Sequence, residues 1–198
     1  MKKAILTGDI ANSRSVHPET WLPGLKTILN SVGKEPSKWE IFRGDSFQVE
    51  TSADDALTLA LKIKASVKTH RELDVRQSIG IGSIDYKADK ITESNGTAFT
   101  FSGDNFDKKN IQKLILKSDD DEFDATFDVI LKLIGHIADD WKPATAETIL
   151  QALSHPNLTQ KELAKKMEKS AATVNGALKR GGYPEILQAI ELFKNRLK

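Results

Sequence analysis

The sequence predicts an α+β protein in which a sheet domain is followed by a small all-α domain. Two observations carry this. Short runs with strand-like alternation trade places with helical periodicities up to about residue 120, and past Pro143 every periodicity is helical. The charge is divided in the same way. From Trp141 to Lys198 ten Lys/Arg face five Asp/Glu, a net +5, whereas the rest carries nineteen against twenty-three, a net −4. A basic tail on an acidic body is the asymmetry of a chain that meets a polyanion with one part only, although a solvated helical surface has the same composition.

Taken in order, Ala4–Ile10 reads as a buried strand, followed by the polar turn from Ala11 to Ser15. Trp21, Leu22, Leu25, Ile28 and Leu29 recur at helical spacing, and Gly33 ends that helix with Pro36 beyond it. Trp39–Phe42 and Phe47–Glu50 alternate around Gly44-Asp45 as a hairpin. Ala53–His70 is a second helix and Val75–Ile84 a glycine-rich strand. Ala98–Asp107 is a short helix and Ile111–Leu116 a last strand. The order β-α-β-β-α-β-α-β contains the split β-α-β plan, so a ferredoxin-like sheet with helices packed on it is expected.

The acidic run Asp119–Glu122 suits a solvated loop and the positive end of the helix after it better than a cation site. That helix, Glu122–Trp141, connects the two domains (1–120 and 143–198) or pairs with a second copy of the chain.

Beyond Pro143, Thr145–Leu153 is helical, and Thr159-Gln160-Lys161-Glu162 has the form of a capping box. Glu168-Lys169 makes a short turn, Ser170 caps Ala171–Arg180, and Gly181-Gly182 ends it. Leu163, Ala164 and Met167 of the first helix face Val174 and Leu178 of the second, the layout of a helix-turn-helix. Ala172, Thr173, Asn175, Gly176 and Lys179 then face outward, short or polar enough to reach base edges, with Lys179 and Arg180 near phosphates. Lys161, Lys165, Lys166 and Lys169 add cations that steer without choosing sequence. The expected partner is double-stranded DNA, bound by a homodimer on a two-fold site. A helical bundle for protein contact is the competing reading.

Two aspartates next to glycines, Asp9 and Asp45, would emerge on one edge of such a sheet. They are either turn formers or a pair joined by Mg²⁺ or Mn²⁺, able to orient a nucleoside triphosphate. Arg14 and Arg43 stand where they could contact its phosphates. Absence of cysteine excludes disulfides and thiolate chemistry, the scattered histidines lack metal-ligand spacing, and Gly80-x-Gly82 lacks a dinucleotide-loop setting. The apolar run at the start is too brief for a signal peptide, and no stretch is long enough for a membrane helix, so a cytoplasmic location with no membrane partner is expected.

Gly8-Asp9-Ile10, Arg43-Gly44-Asp45-Ser46-Phe47-Gln48 and Arg76…Ile79-Gly80-Ile81-Gly82 resemble blocks of class III nucleotidyl cyclases. With Asn95-Gly96-Thr97-Ala98-Phe99, Ser102-Gly103, Trp141…Glu147 and the helix-turn-helix, the order is similar to that of the SatD family of bacterial proteins. The resemblance implies a cyclase-like palm joined to a DNA-binding tail, with Asp9, the Ile10 backbone and Asp45 at a metal. Arg14, Arg43, Gly44 and Ser46 would stand at a nucleotide. Gly96–Lys113 holds Asn105 and Asn110 but no arginine, and Lys108 or Lys109 lacks the planar fork a cyclase uses. Three functions follow: a transcription regulator sensing a nucleotide or metal, a metal-dependent phosphoryl-transfer enzyme, or a protein-interaction scaffold.

Overall fold

The computed structural model describes residues 2–107 and 112–198. The chain runs β1 (Lys3–Ala11), α1 (Pro18–Asn30), β2 (Trp39–Phe42), β3 (Ser46–Ser52), α2 (Ala56–Val67), β4 (Asp74–Gly82), α3 (Thr97–Asp107) and β5 (Leu114–Lys117). Five helices follow: α4 (Asp121–Asp139), α5 (Pro143–Ser154), α6 (Gln160–Lys166), α7 (Ala171–Arg180) and α8 (Tyr183–Arg196). This is an α+β fold with a C-terminal helical region. The last strand begins later than the sequence suggests, and its expected start at Ile111 lies outside the described residues, as do Lys108, Lys109 and Asn110.

The sheet order is β2-β3-β1-β4-β5, antiparallel except for the β4–β5 pair. Its first four strands keep the split β-α-β plan, and β5 extends the edge. Ala4, Leu6 and Ile10 of β1, Phe47 and Val49 of β3, and Val75, Ile79 and Ile81 of β4 join one core with α1 and α2. The alternate residues face α3, where Ile5 packs with Ala98. Glycine sets that second layer. A Cβ on Gly80 would lie 2.1 Å from the Ala98 carbonyl oxygen and 2.4 Å from the Ser102 nitrogen, so α3 seats directly on β4 because Gly80 has no side chain.

The acidic run behaves as a helix entry. The Asp120 carboxylate accepts the Phe123 N–H and caps α4, while Lys117 pairs with Asp121 and Asp124. Helix α8, not separately foreseen, returns along α4. Phe193 packs between Phe123 and Phe127, with ring centroids 5.5 and 5.0 Å away, and Arg196 reaches Glu122 at 3.1 Å.

At Pro143, where the sequence suggests a boundary, only Asp140–Lys142 separate α4 from α5. Ala146, Ile149 and Leu153 of α5 belong to the same buried cluster as Leu57, Leu61 and Ile63 of α2. The helical region and the sheet therefore share one core.

A charged cluster, unread in the sequence, ties the same elements together. The Lys64 ammonium, on a side chain only 7 % exposed, donates to both Asp74 and Asp139. Lys113 bridges the same two carboxylates at 2.8 and 2.9 Å, and Lys68 donates to the Asp139 carbonyl at 2.8 Å. Helix α2, the start of β4, the approach to β5 and the end of α4 meet in these contacts. Among the described residues, no helix is long and apolar enough to cross a membrane.

Candidate nucleic-acid interface and aspartate cleft

Helices α6 and α7 are held by their caps. Thr159 Oγ1 accepts the Glu162 N–H while the Glu162 carboxylate accepts the Thr159 N–H at 2.8 Å, a complete capping box. The Ser170 hydroxyl oxygen accepts the Thr173 N–H at 3.1 Å. Between them the chain turns in four residues, and Glu168 takes φ 54° there. Glycine is the usual residue for that conformation, so Glu168 holds it at some strain. Leu163, Ala164, Val174 and Leu178 are buried at the crossing. Ala164 keeps the helices close, and its carbonyl accepts the Lys169 N–H at 2.9 Å.

Side chains on the outside sort into three groups. Ala172, Thr173, Lys179 and Arg180 of α7, and Lys161 and Lys165 of α6, are exposed. Asn175 and Gly176, expected outward, are half-buried. Lys169 is not a free cation, because its ammonium pairs with Glu147 of α5 at 2.6 Å. Among the described residues, Lys161, Lys165, Lys166, Lys179 and Arg180 have no ion-pair partner within 4 Å.

Trp141 fixes this unit to α4: its indole N–H donates to the Gly181 carbonyl at 3.0 Å in a buried contact. A Cβ on Gly181 would lie 2.8 Å from Ile149, so the end of α7 rests against α5. Gly182 takes φ 66° and starts α8. The glycine pair thus serves one close approach and one left-handed turn.

In the sheet, the register of β1 and β3 sets Asp9 opposite Ser46. Ser46 Oγ donates to Asp9 Oδ1 at 3.2 Å. Asp45 follows in the hairpin turn, where Arg43 takes φ 55° and Gly44 φ 92°. Its carbonyl accepts the Ile10 N–H at 3.1 Å, and its carboxylate accepts the hydroxyl of Ser13, a partner the sequence did not suggest. Asp9, Ile10, Arg14 and Asp45 border one open cleft of about 770 Å³ together with Ser13 and Glu72. Arg14, Arg43, Gly44, Asp45 and Ser46 border an adjoining one of about 560 Å³. The expected residues are therefore neighbours.

The oxygen-only donor set of Asp9 and Asp45 suits a hard divalent cation, with solvent or phosphate oxygens completing its shell. Among the described residues no group of three or more His, Cys, Asp or Glu is arranged to hold a metal. Asn105 falls within α3, and Asn110 lies outside the described residues.

Comparison with models of known protein families and with curated proteins found no match to this chain.

Proposed function

We propose that the chain is a DNA-binding transcription regulator in which α6 and α7 dock on the duplex and the Asp9–Asp45 end of the sheet takes a nucleotide or metal. One observation carries the reading. A capped helix pair with a tight turn leaves the first turn of α7, Ala172 and Thr173, open to solvent, with Lys179 and Arg180, which have no ion-pair partner among the described residues, at its other end. Short side chains at a helix N-terminus can reach base edges, and cations nearby take the phosphates. The similarity of the motif order to the SatD family points the same way. The test is selection of bound genomic DNA fragments by the purified full chain, with and without nucleotide and Mg²⁺. Recovery of a shared sequence is expected; retention of no DNA at low salt would remove the reading.

A second reading, a metal-dependent phosphoryl-transfer enzyme, draws on the two adjoining clefts, one bordered by Asp9, Arg14 and Asp45 and the other by Arg14, Arg43 and Asp45. Two carboxylates at one cation and two guanidinium groups nearby can orient a triphosphate. It predicts Mn²⁺-dependent turnover of a nucleoside triphosphate that Asp45→Asn reduces at least 100-fold, on the order of magnitude expected for lost electrostatic stabilisation. Absence of turnover in the native chain rejects it.

A further inference from the structure

The opposite end of the same strands holds a further cleft, of about 370 Å³, between the end of α1, the first turns of α2 and the outer ends of β1 and β3. From Asp9 to Lys3 along β1 is about 20 Å at strand rise, so this cleft is separate from the aspartate end. Its wall carries Lys3, Lys38 and Lys62. Glu50, on a side chain 5 % exposed, is the carboxylate that faces them, and it is oversubscribed. Lys38 donates to it at 2.6 Å, with Lys87 at 3.5 Å and Lys3 at 3.7 Å. One negative charge among three ammonium groups leaves positive charge unanswered. Lys62 has no ion-pair partner within 4 Å among the described residues. The other acid of the rim, Asp55, is 63 % exposed, accepts the Ser52 hydroxyl and has Lys194 at 3.8 Å.

A polar side chain without a partner also borders it. Thr58 lines the cleft, and its Oγ1, buried in the structure, has no hydrogen-bond partner among the described residues, an arrangement that costs stability unless an acceptor reaches it. Surplus cations beside an unused hydroxyl donor are the chemistry of a phosphate seat. The volume lies at the lower end of the range for small-molecule pockets and exceeds what a bare phosphate fills.

We propose that this cleft binds a small phosphate monoester, its phosphate held by Lys62, Lys3 and Thr58. Sensing of such a metabolite would be independent of the aspartate end.

The test measures thermal unfolding and calorimetric titration of the full chain in EDTA, so that no divalent cation carries phosphate to the aspartates. The probes are inorganic phosphate and a nucleoside monophosphate, each against chloride at matched ionic strength. Both phosphates should raise the melting temperature beyond chloride, the monoester binding more tightly. Lys62→Gln and Thr58→Val should each weaken binding on the order of tenfold. Thr58→Val should also melt no lower than the native chain without ligand, since it removes an unpaired hydroxyl. No gain beyond chloride, equal binding of the two phosphates, or a gain that survives both substitutions would each overturn the proposal.

Discussion

Glu168 holds φ 54° in the turn between α6 and α7, where an L side chain crowds its own backbone. Its side chain is exposed and makes no ion pair among the described residues, so little offsets the strain. Glu168→Gly should therefore stabilise the chain by about 1 kcal/mol, raising the melting temperature by a few degrees in a thermal scan. A lower melting temperature would show that the turn is relaxed. Asp74 illustrates the opposite case. Burial pushes its carboxyl up, but the Lys64 charge and the hydrogen bonds from Lys113 and Lys64 outweigh this and hold it below the ordinary value. Burial likewise pushes Glu50 up, and Lys38, with Lys87 and Lys3, holds it down. Depressed carboxylates contribute stability that is fully present above their unfolded values, about pH 4, and is lost as pH falls through the folded ones. Acid titration of stability should show a loss setting in below about pH 4. Asp74→Asn, which leaves Lys64 and Lys113 with Asp139 alone, should cost about 3 kcal/mol at neutral pH and flatten that acid limb.

Among the elements, what was legible in the sequence and what was not divide by sequence distance. Strands β1 to β4 and helices α1 and α2 follow local periodicity, and the caps of α6 and α7 lie within four residues of what they cap; both kinds of signal are local. The cluster of Lys64, Lys68, Asp74, Lys113 and Asp139 joins positions up to 75 residues apart, and each residue alone reads as a solvated surface charge. The same holds for Ser13 against Asp45 and for Glu147 against Lys169, so the aspartate cleft was foreseen in its main residues while its supports were not. On α4, the apolar face is wider than the core needs. Phe123, Phe127, Leu131 and Ile134 are buried, yet Val129 and Leu133, one turn apart, are 58 % and 62 % exposed. Both side chains are open to a second chain. If α4 pairs two copies as the regulator reading requires, Leu133→Lys should shift the chain to monomer in sedimentation equilibrium; a native chain that is monomeric at high concentration would remove the homodimer.

At the scale of the whole molecule, one core runs from the sheet through α2 and α5 to the base of α7. Trp141 closes it on Gly181, and the charged cluster fastens the end of α4 to α2 and β4. Glu72 borders the aspartate cleft two residues before Asp74 of that cluster, and its carbonyl accepts the Asn12 side-chain amide at 3.2 Å. The aspartate end of the sheet and the charged cluster are thus adjacent along the start of β4. The proposal that α7 meets the duplex through Lys179 and Arg180 is decided by the slope of log affinity against log salt for the full chain on its selected DNA, compared with a Lys179→Ala, Arg180→Ala double variant. A steep negative slope is expected, reduced by about two in the double variant, with weaker binding to all sequences alike. A native slope near zero, or one unchanged in the double variant, would contradict it.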